Sequence, residues 1–439
     1  MVAFPFLYFS IFLSFILYKK RKFDISAYLV SLYVISSFFA IIIDLKNLRS
    51  FDTKLYQISI VPAVLYCFLL SLTIWPFYRL KTTKITNIKL NKPRLFNFIV
   101  YFYFGCFLLL LIFFFNSLIQ ILNGNFVALR SALSNGETIT SINIGGIFKP
   151  LFIVAGVFGG FSMIMILFYF YSISYLQRSK LFNFIILLSS MSVILLGIIG
   201  IDRSLVTFWM ISYGFVFVLF LSNGNGSLTK KKVRNVLLIS AIVLSVVITY
   251  FLKVTFSRFD NADVETGGSM ISYAGQSFVN FCYFFDHNVQ YGKFSLQRIF
   301  PLFYKLFINN GIENSGQLNE IISLQTGKSI GVFFTFIGGI MVASGKLAAI
   351  LYCFFFFIIS TILTRFKRKR ITYFYQVVLI FCLSSVPMLG MFSHFYGSFA
   401  TVIPLYAFLI YVFHLKANRI KKAKSNNLIV SDFHDQLQQ

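Results

Sequence analysis

The sequence predicts an all-α, polytopic integral membrane protein with about eleven transmembrane helices, and three observations lead to this prediction. Hydrophobic residues make up 58% of the 439 residues and charged residues only 12%, against about 25% charged residues in soluble domains. Apolar runs long enough to cross a bilayer recur almost from end to end. Basic clusters separate many of these runs. We therefore expect one membrane domain over residues 1–424 and a cytoplasmic tail over 425–439.

The basic clusters predict the orientation of the chain. A formal charge of +26 resembles that of a nucleic-acid-binding protein, but the basic residues lie between apolar runs, as the positive-inside rule describes. We therefore expect no nucleic-acid partner. If every cluster is cytoplasmic, an even number of crossings must separate consecutive clusters. The clusters are Lys19–Lys22, Arg79–Arg94, Gln177–Lys180, Lys230–Arg234, Arg365–Arg370 and Leu415–Lys424.

The apolar runs satisfy this parity. They place the N-terminus in the periplasm and the C-terminus in the cytoplasm of a multi-pass protein of the cell inner membrane. The first run lacks a preceding basic region and a small-residue cleavage site, so we expect a retained helix rather than a signal peptide. The predicted spans are 3–18, 25–43, 56–78, 95–122, 151–175, 181–201, 204–222, 235–256, 340–364, 371–392 and 398–414.

Two predicted outward loops are long, at 123–149 and 257–331. Connections of such length are usually functional or disordered, and the second is too apolar to be disordered. Within it, 270–285 and 298–307 are apolar and aromatic. These segments are too short to span, and they suit helices that lie along the membrane interface. A packed outward subdomain without chemistry is the alternative.

The segment Thr326–Phe357 is apolar and rich in glycine. Two full crossings there would move the cluster Arg365–Arg370 to the outside. We therefore expect an outward, partly inserted half-helix with breaks at Gly338, Gly339 and Gly345, followed by one full span.

Cations in or beside the outward loops are the first functional candidates. Arginine presents a planar fork that grips phosphate and stays charged. The alternative is that each arginine marks a span end or pairs with a neighbour, as Arg203 with Asp202 and Arg258 with Asp260. The cations are Arg130, Arg203, Arg258, Arg298, Lys305 and Lys328.

Few other residues have a spacing that predicts chemistry. His394, in the last outward loop, is a candidate general base. Asp44 and Asp52 are candidate carboxylates without a specific spacing, and Asp260 lies in an acidic turn. No histidine or cysteine pair has the spacing of zinc ligands, so we expect no metal site and no cofactor.

Four segments carry a resemblance to a known family. They are LRSALSNG around Arg130, GIIGIDRSLV around Arg203, SYAGQSFVNFCYF around Tyr273, and VFFTFIGGIMVASG after the long loop. With the number of spans and the long late loop, they make the chain resemble Wzy-type polymerases of oligosaccharide repeat units, over nearly its whole length. These motifs are loose, and the layout carries most of the resemblance.

The resemblance implies metal-independent glycosyl transfer on the periplasmic face, between undecaprenyl-pyrophosphate-linked oligosaccharides of the O-antigen or capsule. In that scheme Arg203 and Arg258 stabilise the leaving pyrophosphate, and His394, ahead of Asp260, accepts the proton of the acceptor hydroxyl.

The same scheme assigns Arg130, Tyr273 and Arg298 to substrate binding. Its partners are membrane lipids, a chain-length regulator and a flippase. An O-antigen ligase, a lipid-linked oligosaccharide flippase and a non-enzymatic assembly protein remain as alternatives.

Overall fold

A computed structural model provides the fold. It describes residues 1–49, 53–80, 88–90, 92–122, 148–199, 203–222, 245, 249, 266–291, 295–307, 315–328, 330, 335–364, 372–392, 396 and 401–416. Within them the protein is α-helical except for one short strand pair.

The helices follow the apolar runs. Their bounds, numbered along the chain, are α1 Ala3–Lys20, α2 Ile25–Leu45, α3 Ile60–Arg79, α4 Pro93–Phe113, α5 Phe115–Leu122, α6 Phe148–Gly160, α7 Ser162–Leu176, α8 Lys180–Ile199, α9 Arg203–Leu221, α10 Thr266–Asp286, α11 Pro301–Phe307, α12 Ser315–Thr326, α13 Phe336–Ser344, α14 Lys346–Leu363, α15 Phe374–Leu389 and α16 Thr401–Lys416. Strands β1 (Ile88–Lys89) and β2 (Thr372–Tyr373) pair in parallel.

Seven of the described helices, namely α1, α2, α3, α4, α8, α9 and α14, are long and apolar enough to cross a membrane. The pair α6 and α7 adds an eighth if it forms one span, although the two helices are bent by 52°. The bend follows Gly159 and Gly160, and glycine pairs are common sites of kinks. The all-α, multi-pass prediction is confirmed at this level.

The remaining predicted spans stay predictions. Helices α15 and α16 are apolar but shorter than the seven long helices. The predicted span 235–256 lies almost wholly outside the described residues. The total of about eleven crossings therefore remains a prediction from the sequence.

The turn between α1 and α2 shows how local sequence ends one span and starts the next. Helix α1 ends where Arg21 takes a left-handed conformation, with φ of 51°. Asp24 then caps α2, since its side chain accepts hydrogen bonds from the backbone N–H groups of Ser26 and Ala27 at 3.0 and 3.2 Å. The Nζ of Lys20 lies 2.5 Å from the Asp24 carboxylate, which is almost fully buried. The turn between α1 and α2 is therefore held by hydrogen bonds and an ion pair to Asp24.

Helix α10 differs from the interfacial helix that the sequence predicts for 270–285. It packs lengthwise on α2, and a Cβ placed on Gly275 would lie 2.5 Å from backbone atoms of Phe39 and Ala40. One turn further along α10, the ring of Phe278 lies 5.1 Å from the ring of Tyr66 in α3. Small residues allow such close approach of helices. The segment is therefore part of the helix bundle.

The glycine-rich segment forms a sharp helical hairpin. Gly345 separates α13 from α14 with φ of +93°, as predicted for a break at this residue. The prediction of breaks at Gly338 and Gly339 is wrong, because both residues lie inside α13. Phe336 and Tyr352 stand on opposite sides of the break, and their ring centroids are 6.2 Å apart. Helix α13 therefore folds back along α14.

The start of α13 meets the end of α15 inside the protein. The backbone N–H of Phe336 donates to the carbonyl of Gly390 at 2.8 Å, and both α13 and α15 are buried over almost their whole length. Such irregular backbone in a membrane protein is tolerated where protein surrounds it.

Candidate functional site

Most residues assigned from the sequence cannot be compared with the structure. Arg130, Arg258 and His394 lie outside the described residues. Arg203 is the first residue of α9 and Tyr273 lies in α10, and only their helix positions are described. The roles assigned to these residues stay predictions.

Arg298 is the one assigned residue whose side chain is described. It is buried, and its Nη1 donates to the carbonyl of Gly339 at 3.2 Å, while Nη2 donates to Oδ1 of Asn319. Burial lowers the pKa of the guanidinium to about 10. These bonds tie the turn before α11 to α12 and α13. They support a structural role, and substrate binding by Arg298 stays a prediction.

A second group of polar residues lies where α2 ends and α3 begins. We call it the acid–histidine cluster, and it consists of Tyr56, Ser59, Tyr283, Asp286 and His287. The Tyr56 hydroxyl donates to Oδ2 of Asp286 at 2.5 Å, and the Ser59 hydroxyl donates to Oδ1 at 3.0 Å. Asp286 and His287 are exposed. The fold therefore fixes the carboxylate from one side and leaves it open to a ligand.

The direction of α10 explains how this cluster forms. Phe278 packs on Tyr66, and Asp286 contacts Ser59 at the start of α3, so α10 runs antiparallel to α3. Its C-terminal end thus reaches the end of the bundle at which α2 finishes. The positive-inside rule predicts that this end faces outward, because the turn at the other end of α2, between α1 and α2, carries the cluster Lys19–Lys22.

His287 is held in one tautomer. Its Nδ1 lies 2.9 Å from the carbonyl oxygen of Tyr283. A carbonyl oxygen only accepts hydrogen bonds, so Nδ1 carries the proton and the lone pair of the neutral ring is on Nε2. The imidazole is also positioned by two rings, with centroids 4.2 Å from Tyr283 and 5.6 Å from Tyr56.

Tyr56 is anchored through its own backbone. The Nη1 of Arg49 donates to the carbonyl of Tyr56 at 2.6 Å, and Nη2 of Arg49 lies 2.5 Å from Oδ1 of Asp44. Burial and the hydrogen bond to Asp286 hold the pKa of the Tyr56 phenol well above its usual value. The phenol therefore stays a donor to the carboxylate. Asp44, a carboxylate candidate from the sequence, is part of this scaffold.

Two lysines lie at the rim of the cluster. The Nζ of Lys346, next to the Gly345 break, donates to Oδ1 of Asn288 at 2.6 Å and lies 4.1 Å from the centroid of Phe285. The Nζ of Lys328 lies 5.7 Å from the centroid of Tyr283. The attraction between a cation and the face of an aromatic ring helps to hold both ammonium groups in place.

The cluster combines groups that suit carbohydrate and phosphate chemistry. The carboxylate accepts hydrogen bonds from hydroxyl groups, the imidazole accepts a proton, and the ammonium groups attract an anion. Among the described residues, no group of three or more His, Cys, Asp or Glu side chains is placed to hold a metal ion. The carboxylate of Asp286 and the imidazole of His287 are groups of the kind that carry out acid–base chemistry.

Asp286 and His287 lie in the predicted outward loop 257–331, but neither is among the residues to which the sequence assigns a role. The available signal was a polar Asp-His-Asn run directly after the apolar segment 270–285, at the point where a buried helix would surface.

No protein-family model matches the sequence, and no significant match is found among curated proteins or solved structures.

Proposed function

We propose that this chain polymerises undecaprenyl-pyrophosphate-linked oligosaccharide repeat units, of the O-antigen or capsule type, by glycosyl transfer at the periplasmic face. The observation that carries the proposal is the acid–histidine cluster. An exposed carboxylate and an exposed imidazole with its lone pair on Nε2 lie side by side in the chain, at the end of the bundle that the charge distribution predicts to face outward.

The position of the cluster suits a lipid-linked substrate. The polyprenyl chain would remain in the bilayer beside the helices, while the pyrophosphate and the sugars would extend beyond their ends. Asp286 would accept hydrogen bonds from hydroxyl groups of the acceptor sugar. Lys328 and Lys346 would offset the charge of the pyrophosphate. This proposed reaction needs no metal ion or cofactor, because the leaving group is already a stable anion.

An O-antigen ligase is the second enzyme that the same cluster supports, because it differs from a polymerase only in its acceptor. A flippase would move the same lipid without forming a glycosidic bond, and an exposed acid–histidine pair has no evident part in transport. Under the polymerase proposal, a flippase would supply the lipid-linked repeat units and a chain-length regulator would act on the product.

Deletion of the gene, followed by electrophoresis of surface polysaccharide, tests the proposal. Loss of a polymerase leaves a lipid core that carries a single repeat unit. Loss of a ligase leaves no repeat on the core while polymer remains linked to its lipid, and loss of a flippase leaves neither product. A normal polymer ladder in the deletion strain would contradict all three functions.

A further inference from the structure

We propose that Nε2 of His287 is the general base that accepts the proton of the acceptor sugar hydroxyl. This assignment rests on the proposed function and deepens it, since it names the residue that activates the nucleophile. It differs from the residue that the sequence suggested for this role, His394, which lies outside the described residues.

The first support is the state of the imidazole ring. The bond between Nδ1 and the Tyr283 carbonyl, at 2.9 Å, fixes the tautomer in which Nε2 has the lone pair. A base must present such a lone pair to the proton that it removes. His287 is exposed, so a sugar hydroxyl can reach it.

The second support is the place of His287 at a helix end. Helix α10 ends at Asp286, and the backbone N–H of His287 donates to the carbonyl of Tyr283 at 3.0 Å. Carbonyl groups at a helix C-terminus carry partial negative charge and favour a cation there. The Tyr283 carbonyl, which accepts from both the backbone N–H and Nδ1–H of His287, lies at this partially negative end of α10.

The third support is the restraint on the ring. The ring of Tyr283 lies close to the imidazole, with the two planes tilted by 36°, and Tyr56 contacts the imidazole edge to face. Tyr56 is itself tied to Asp286 and to Arg49. A base held in this way loses little freedom when substrate binds, which favours catalysis.

The step balances as follows. The O–H bond of the acceptor sugar breaks, and its proton moves to Nε2. The acceptor oxygen forms a bond to the anomeric carbon of the donor sugar, and the bond from that carbon to the pyrophosphate oxygen breaks. The electron pair leaves with the undecaprenyl pyrophosphate. The imidazolium then returns its proton to water.

Chemical rescue tests the assignment. The full-length protein is reconstituted in liposomes of phosphatidylethanolamine and phosphatidylglycerol. It is then supplied with undecaprenyl-pyrophosphate-linked repeat unit extracted from a strain that lacks this gene. His287→Ala is expected to lower the rate of chain extension by about 100-fold or more, the usual contribution of a general base. Added imidazole should raise the rate of His287→Ala at least about tenfold, because it occupies the space left by the missing side chain and supplies the base.

The controls separate this assignment from the proposed function. His414→Ala, at the far end of α16, should extend chains at the wild-type rate with or without imidazole. If His287→Ala fails to fold, His287→Gln keeps a donor for the Tyr283 carbonyl and should show the same loss of rate. A wild-type rate in either His287 variant, or a loss in His287→Ala that imidazole does not restore, would overturn the assignment. Failure of the wild-type protein to extend the lipid-linked repeat unit would instead overturn the proposed function.

Discussion

Two aspartates at opposite ends of the helix bundle differ in almost every physical respect. Asp24 is fully buried at the N-terminus of α2, where two backbone N–H groups and the ammonium of Lys20 bind its carboxylate. Asp286 is exposed at the C-terminus of α10, where two hydroxyl groups, those of Tyr56 and Ser59, bind it. The first carboxylate is enclosed by the fold, and the second is accessible from outside.

The surroundings of the two carboxylates indicate which of them stabilises the fold. A negative charge at a helix N-terminus is favoured by the helix dipole, so Asp24 stabilises α2. A negative charge at a helix C-terminus is disfavoured by about 0.3–1 kcal/mol. The hydroxyl groups of Tyr56 and Ser59 offset that cost, but a neutral residue would avoid it. Asp286 therefore stabilises the fold less than Asp24 does.

The largest expected effect is on stability at the Asp24 end. Asp24→Ala should lower the free energy of unfolding by about 3–5 kcal/mol, because it removes the cap of α2 and leaves Lys20 without its carboxylate in a largely buried place. Unfolding by SDS in mixed micelles measures this. Asp286→Ala is the matched variant, and its loss should stay under about 1 kcal/mol. Equal losses of unfolding free energy in the two variants would contradict the view that Asp24 stabilises the fold more than Asp286 does.

The next effect concerns the helix that carries Asp286. Gly275→Ala should cost about 1–3 kcal/mol, because a Cβ there meets the backbone of Phe39 and Ala40 and must push α10 away from α2. The same unfolding measurement applies, and chain extension should fall with it. Gly105→Ala is the control, because its Cβ would meet nothing within 4 Å. A stable Gly275→Ala protein would mean that α10 packs less closely than described.

These two regions also show what the sequence could predict. The long spans were predictable because hydrophobic length and basic flanks are local properties, and seven long helices match them. The cap at Asp24 is local too. The burial of α10 was not predicted, because small and polar residues such as Gly275, which lies against α2, and Ser277 make the segment less apolar than a usual span.

The acid–histidine cluster was out of reach for a different reason. Tyr56 and Asp286 are 230 residues apart, and only the packing of α10 against α3 brings them into contact. For Arg130, Arg203 and Arg258 no such comparison between sequence and structure is made, because their side chains are outside the described part of the structure. The local sequence pattern could identify Asp286 and His287 as a polar pair at a helix end, but it could not show that Tyr56 lies beside them.

A smaller effect, on the rate of chain extension, is expected from a change at Tyr56, which donates a hydrogen bond to Asp286. Tyr56→Phe keeps the ring beside His287 and removes the hydroxyl that donates to Asp286. Loss of one hydrogen bond to a charged group should lower the rate of chain extension about tenfold, corresponding to about 1.4 kcal/mol. The initial rate in liposomes measures this. Tyr18→Phe is the control, since Tyr18 is 79% exposed on α1. An unchanged rate in Tyr56→Phe would show that Asp286 does not depend on this donor.

The most direct test of a reaction at the acid–histidine cluster is the rate of chain extension by Asp286→Asn, measured in liposomes per molecule of folded protein. The substitution keeps the size of the side chain and removes its charge. We expect a rate at least about 100-fold below wild type, with an unchanged SDS unfolding midpoint, because the effect falls on substrate and transition state rather than on the fold. A rate within about threefold of wild type would contradict the placement of the reaction at this cluster.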